Sequence, residues 1–101
     1  MILYNITIKV EESVSGLFCS WLLEHHMPAM LATGCFNSSR LMRLLEVDDS
    51  DGPTYAVQFT APTKILYNKY ISEHAEAHRR QLEAKWAGQY VSFSSAMELI
   101  Q

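Results

Sequence analysis

Residues 2–22, ILYNITIKVEESVSGLFCSWL, change their hydrophobic period halfway along the stretch. Up to Val10, apolar and polar residues alternate and many are β-branched, which predicts a half-buried strand. Beyond Glu11 the apolar residues recur three and four positions apart, the stripe of an amphipathic helix with Ser13 as its expected N-cap. That stripe consists of Val14, Leu17, Phe18, Trp21 and Leu22. The chain therefore opens with a strand followed directly by a helix.

The remaining segments continue this pattern. Further strands are predicted over residues 35–47, 54–61 and 89–100, and the turn sequence DDSDGP joins the first two of them into a hairpin. A long helix is expected from its N-cap Thr63 to its stop at Gly88. One short helix over residues 28–33, with proline at its start and glycine after its end, is expected to link the first helix to the second strand.

The resulting order is β-α-β-β-α-β. With right-handed crossovers it predicts a ferredoxin-like α+β fold, a four-stranded antiparallel sheet with two helices on one face. A length of 101 residues predicts a single domain over residues 1–101.

The sheet face opposite the helices is predicted to be small, neutral and hydrogen-bonding. On the last strand, Val91, Phe93 and Met97 are expected to face the helices, which leaves serines on the other side. A covered but polar sheet face fits a homodimer in which two sheets enclose a small cavity. A monomer with an open, serine- and threonine-rich face is the alternative. The expected outer residues are Leu3, Asn5, Thr7, Lys9, Thr54, Ala56, Gln58, Thr60, Tyr90, Ser92, Ser94, Ala96 and Glu98.

Composition excludes several classes of function. The net charge is −3 and Arg79-Arg80 is the only adjacent basic pair, so no nucleic-acid partner is expected. Two cysteines make no disulfide framework, and neither a signal peptide nor a membrane-length apolar run is present. We therefore expect a cytoplasmic protein that does not insert into membranes.

Four histidines are the candidates for chemistry. His74 and His78 lie one helical turn apart, but His25 and His26 follow another helix and cannot easily converge on the same ion, so no metal site is predicted. His26 is expected where two helix ends meet, near Tyr4 and Thr60. There its charged form could hold an anion or shuttle a proton.

The motif HxPxxLxTGxF, at residues 26–36, resembles a bacterial family of about 100 residues known only as a domain of unknown function. The similarity extends to ILYNITIKV, TYAVQFTAP, YISEHA and FSSAMELI. It implies a dimeric α+β barrel, a group that includes cofactor-independent monooxygenases, small isomerases, haem-dependent enzymes and ligand sensors. His26 and His74 match the family pattern, whereas His25, Cys35 and His78 do not. The family supplies no catalytic residues, and fold alone does not give function.

The sequence supports more than one function. The first is a homodimeric module, without cofactor, that binds a small ligand or a partner protein. The alternative is a cofactor-independent oxygenase or isomerase whose general base, His26 or His74, lies in the inter-sheet cavity. A third is dimerisation without any ligand. Either Arg40 or Arg43 could face the cavity. The predicted ligand-binding candidates are Tyr4, Asn5, Thr33, Arg40, Gln58 and Thr60.

Overall fold

The computed structural model describes residues 1–101, which form one four-stranded antiparallel sheet with helices packed on one face. The strands are β1 (Ile2–Val10), β2 (Ser38–Arg43), β3 (Thr54–Ala61) and β4 (Tyr90–Glu98), and the helices are α1 (Ser15–Trp21), α2 (Met27–Ala32), α3 (Lys64–Glu73) and α4 (Ala75–Trp86). Strand order across the sheet is β2-β3-β1-β4. The predicted ferredoxin-like fold is confirmed.

The first helical stretch differs from its prediction. A π-helical segment, Leu22–His26, joins α1 to α2, and the backbone remains right-handed helical on both sides of it. Pro28 lies in the first turn of α2, where its missing N–H costs least. The predicted short helix over residues 28–33 is present as α2, but no break separates it from the first helical stretch. Instead of a break, the extra residue of the π segment re-aims the helix.

The second helical stretch is divided at His74. This residue has φ −127° and ψ −31°, outside the helical region, and it separates α3 from α4. Thr63 is the N-cap as predicted, because its Oγ1 accepts a hydrogen bond from the Leu66 backbone N–H at 3.2 Å. Gly88 follows the end of α4 with φ +77°, a conformation that favours glycine.

The core lies between the helices and the inner face of β1 and β3. Ile8, Val57 and Phe59 are at most 1% exposed on the sheet, and Phe18 and Leu22 are fully buried on the first helical stretch. Each such side chain contributes about 1.5–3 kcal/mol through burial. Phe36 and Tyr70 complete one end of this layer, with ring centroids 4.8 Å apart.

The prediction that the apolar side chains of β4 face the helices is wrong. Ile6 pairs with Ser94 and Tyr4 with Ala96, and directly paired residues point to the same face of a sheet. Ser92 and Ser94 therefore face the helices, whereas Phe93 and its apolar neighbours lie on the open face. Alternation along a strand defines two faces but does not say which one is the core. The exposed fractions are 68% for Val91, 66% for Phe93 and 41% for Met97.

Register also places the arginines of β2. Arg40 pairs with Gln58, which itself pairs with Asn5, so all three lie on the open face. Arg43 points to the helix side and donates to Asp49 Oδ2 at 2.9 Å. No helix of the protein is both long enough and apolar enough to cross a bilayer.

Candidate functional site

A groove of about 380 Å³ opens between the helices and the β1–β4 part of the sheet. It exists because β4 is an edge strand whose inner face is not covered by a helix. The deepest lining side chains are His26, Tyr70 and Leu82, which are 5%, 2% and 6% exposed. The other lining residues are Tyr4, Ile6, Ile71, Ala75, Glu76, His78 and Arg79, together with Ser92, Phe93 and Ser94 along the edge strand, where the side chain of Phe93 belongs to the open face.

His26 reaches the groove from the last position of the π-helical segment. Its ring stacks on Trp21, with centroids 5.2 Å apart, and contacts Phe59 and His78 edge-on at 6.4 and 6.0 Å. π segments alter the direction of a side chain relative to the rest of a helix and are frequent at functional sites. Here the π-helical segment directs the side chain of His26 into a space enclosed by aromatic rings.

The enclosure keeps His26 neutral. Burial, together with the smaller effect of the nearby His78 ring, lowers the pKa of His26 to about 4. The expectation that His26 is charged at a helix carboxyl end is therefore wrong, since the helical stretch continues past it. A neutral imidazole offers one donor and one acceptor nitrogen to a ligand.

Neither of those nitrogens bonds to the protein. The only fully buried side-chain nitrogen or oxygen without a partner is Nε1 of Trp86, so both ring nitrogens of His26 retain access to solvent. His26 lines the groove and also a broad surface cleft on its other side. Buried polar groups are nearly always hydrogen-bonded. A histidine 5% exposed with two open nitrogens is thus available to a bound molecule.

Tyr70 and His78 form the second polar feature of the groove. The Tyr70 hydroxyl lies 2.9 Å from His78 Nδ1 and also 2.9 Å from Met30 Sδ. Because a ring nitrogen is a stronger acceptor than a thioether, we assign the phenol proton to the bond with Nδ1, which leaves the His78 proton on Nε2. Burial raises the pKa of Tyr70 and lowers that of His78, so both groups are uncharged at neutral pH.

Charged groups occur only at the mouth of the groove. Glu76 and Arg79 make two hydrogen bonds to each other, at 2.7 and 3.1 Å. Arg80 also bonds to Glu76, at 3.1 Å, but does not line the groove. These side chains are more than half exposed, so their interactions are screened by water.

The cleft on the far side of His26 is larger, about 580 Å³, but it is shallow and open. It is lined by Trp21, His25, His26, Gln81, Ala84 and Lys85. Small molecules bind preferentially in enclosed sites with few, convergent polar groups. The groove fits that description better than the cleft.

The residues proposed from the sequence fall into four places: the groove, a position beside it, the end of α2 and the open face of the sheet. Tyr4 and His26 line the groove. His74 stacks on Tyr70 and His78, with centroids 6.1 and 6.4 Å away, but does not line it. His26, His74 and His78 thus approach one another, yet no cluster of ligating side chains suited to a metal ion is present.

The side chain of Thr33 hydrogen-bonds to the backbone at the end of α2 and does not line the groove. Its hydroxyl donates to the Met30 carbonyl at 2.7 Å and accepts from the Cys35 backbone N–H at 3.2 Å. These bonds satisfy backbone groups at the end of α2, where Gly34 turns the chain with φ +77°. The hydroxyl is therefore occupied by the fold.

The other four candidates lie on the open face, on the far side of the sheet from the groove. Arg40, Gln58 and Asn5 form a row across three strands, and the Asn5 amide donates to Thr7 Oγ1 at 3.0 Å. Thr60 lies beside this row, opposite Ser38. This polar row occupies the middle of the open face, with the exposed apolar residues of β4 to one side.

Tyr70, His78, Ser92 and Ser94 line the groove but were not predicted as ligand-binding residues. Tyr70 and His78 share a helix stripe with core residues, and their spacing of eight gave the only signal that they would meet. The serines were missed because β4 was assigned the opposite facing.

Fold and site together define a ferredoxin-like protein with a helix-side groove. The chain belongs to the family described as a domain of unknown function, DUF4286, whose model matches residues 1–100. No curated protein matches it.

Solved structures share the fold at low identity. A dimeric ferredoxin-like protein from an uncultured marine organism is 11% identical, with 100% of this chain and 96% of that chain covered at a TM-score of 0.71. HapK from Hahella chejuensis is 11% identical, with 99% and 93% covered and a TM-score of 0.70. SnoaB from Streptomyces nogalater, a cofactor-independent oxygenase, is 14% identical, with 99% and 94% covered and a TM-score of 0.67. At these identities the likeness shows the fold alone.

Proposed function

We propose that this protein is a homodimeric module, a single domain over residues 1–101, that binds a small molecule in the helix-side groove. The observation that carries the proposal is His26, a neutral histidine 5% exposed whose two ring nitrogens bond to no protein group. Because both nitrogens are open to solvent, a ligand that fills the groove displaces water from them and has to hydrogen-bond to them in its place.

The homodimer is supported by the open face of the sheet. Val91, Phe93 and Met97 form an apolar strip there beside the polar row of Asn5, Gln58 and Arg40. Apolar side chains beside polar ones are the composition of a protein interface. A similar structure is described as a dimeric ferredoxin-like protein. The occupant we propose is a second copy, packed sheet to sheet.

A cytoplasmic location is part of the proposal. Both cysteines are free thiols, Cys35 buried and Cys19 half-buried, which suits a reducing compartment. The charge of −3 gives no reason to expect nucleic acid.

A second candidate function is a cofactor-independent oxygenase or isomerase. It is favoured by the Tyr70–His78 pair, a hydrogen-bonded acid–base couple within the groove, and by the likeness to SnoaB. A pKa of about 4 makes His26 a weak base at neutral pH, and His78, whose Nδ1 accepts from the Tyr70 hydroxyl, would act as base through that hydroxyl. The groove, rather than an inter-sheet cavity, would then hold the substrate.

Native mass spectrometry of the purified protein tests the proposal. We expect a dimer that carries additional mass, which is released on denaturation and can be identified. The variant His26→Gln should lose the additional mass, whereas His25→Gln, which changes the exposed neighbour outside the groove, should retain it. A monomer would contradict the sheet-to-sheet dimer, and a ligand retained by His26→Gln would contradict the groove.

A further inference from the structure

The groove has a gradient from an uncharged floor to a charged mouth. At the floor lie His26, Tyr70 and Leu82, all less than 7% exposed. The only ionised lining groups, Glu76 and Arg79, lie at the mouth, where each is held by the other. A charged ligand group reaching His26 would leave water without meeting a counter-charge, and an isolated charge in such a place is strongly unfavourable.

We infer that the ligand is an uncharged, largely apolar molecule whose single polar group, a hydroxyl or carbonyl, hydrogen-bonds to His26 at the floor of the groove. This inference rests on the proposed function and specifies its ligand class. The apolar body would lie against Ile6 and Leu82, which line the same groove. A hydroxyl matches both the donor and the acceptor nitrogen of a neutral imidazole, and a carbonyl matches the donor.

The protonation states of His26 and Tyr70 at the floor of the groove also favour an uncharged ligand. An anion could gain a counter-charge by protonating His26, but with a pKa of about 4 only about one molecule in a thousand carries that proton at pH 7. A cation would find only neutral acceptors, because Tyr70 keeps its proton at any pH near neutral.

Three probes of equal size distinguish the ligand classes: cyclohexylmethanol, cyclohexanecarboxylate and cyclohexylmethylammonium. Each is titrated into the full-length protein at pH 7.5, and binding is followed by NMR through the backbone amides of Ser92 and Ser94 and the ring protons of His26. We expect the alcohol to bind at least about 10-fold more tightly than either ion, which is about 1.4 kcal/mol. His26→Leu should remove most of that advantage, and His25→Leu should preserve it.

The outcomes separate the two levels of inference. Tighter binding of the carboxylate or the ammonium ion at the same resonances would overturn the ligand class and leave the groove as a site. No shift at Ser92, Ser94 or His26 with any of the three probes would overturn the groove itself, and the ligand class with it. Equal binding of the alcohol to wild type and His26→Leu would show that His26 is not the contact.

Discussion

The two faces of the sheet differ in which side chains they bury: polar groups are enclosed on the helix side, whereas apolar groups are exposed on the open side. On the helix side, His26 and Tyr70 are enclosed by aromatic rings and are 5% and 2% exposed. On the open side, Phe93 and Val91 are 66% and 68% exposed beside polar neighbours. Exposed apolar groups indicate a protein partner, whereas enclosed polar groups with open hydrogen-bonding capacity indicate a small ligand. This contrast is the reason for proposing a protein partner on the open face and a small ligand on the helix side.

Phe59 and Phe93 give the most direct test of this contrast. Phe59 is fully buried on the helix side, so Phe59→Ala should destabilise the protein by about 3–5 kcal/mol. Phe93→Ala should change the unfolding free energy of the dilute monomer by only about 0.5 kcal/mol, because most of its surface is exposed there. Urea denaturation at several protein concentrations separates folding from association. Equal losses in the two variants would contradict the assigned facing of β4.

His26 provides the next largest effect, through pH. Its folded pKa of about 4 lies below the ordinary 6.5, so the unfolded chain binds the proton first as the pH falls. Stability is therefore unaffected by this group above pH 6.5 and decreases between pH 6.5 and 4, by roughly 3 kcal/mol in total. The lowered pKa of His78 acts in the same direction.

The measurement is denaturant unfolding across pH 7.5 to 4. His26→Gln should flatten most of the decrease, and His25→Gln, the exposed neighbour, should leave it as in wild type. A wild-type protein of constant stability over this range would show that His26 titrates in the folded state as it does in solvent.

The regular parts of the fold were predictable because each follows from its own residues. Alternation in β1 and β3 puts Ile8, Val57 and Phe59 on the apolar face of their strands, and in these two strands the apolar face is the core. Thr63 and Gly88 marked the ends of the second helical stretch by local chemistry.

Local sequence patterns did not show which face of β4 is buried, how the strands pair, or which distant residues meet in the fold. The alternation in β4 is as clear as that in β1, but its apolar side chains serve the open face, and only pairing with β1 reveals this. The π-helical segment has no sequence signature that distinguishes it from an ordinary helix turn. Tyr70 meets Met30 across 40 residues of chain, a contact that only the folded topology creates.

Phe93→Glu tests the open face as an interface. A carboxylate in the middle of the apolar strip should weaken the proposed dimer by about 2 kcal/mol or more, about 30-fold in dissociation constant. Ile65→Glu is the matched control, because Ile65 is 78% exposed on α3, away from the sheet. Sedimentation velocity over a concentration series should show monomer for the first variant and wild-type association for the second. Dissociation by both, or by neither, would remove the open face as the interface.

Tyr70→Phe is the smallest change and tests the helix side at a single oxygen. The ring contact with Phe36 is kept, so the loss is limited to the hydroxyl and its hydrogen bond to His78 Nδ1, about 1 kcal/mol. Without the phenol proton to accept, His78 should change from a single Nε2-protonated tautomer to the mixture of both tautomers found for a free imidazole in water, which ¹⁵N chemical shifts of the ring report directly. Tyr67→Phe, a half-buried tyrosine on the same helix, should change neither quantity. If the tautomer of His78 is the same in Tyr70→Phe as in wild type, the phenol proton belongs instead to Met30 Sδ, and the groove presents a different donor to its ligand.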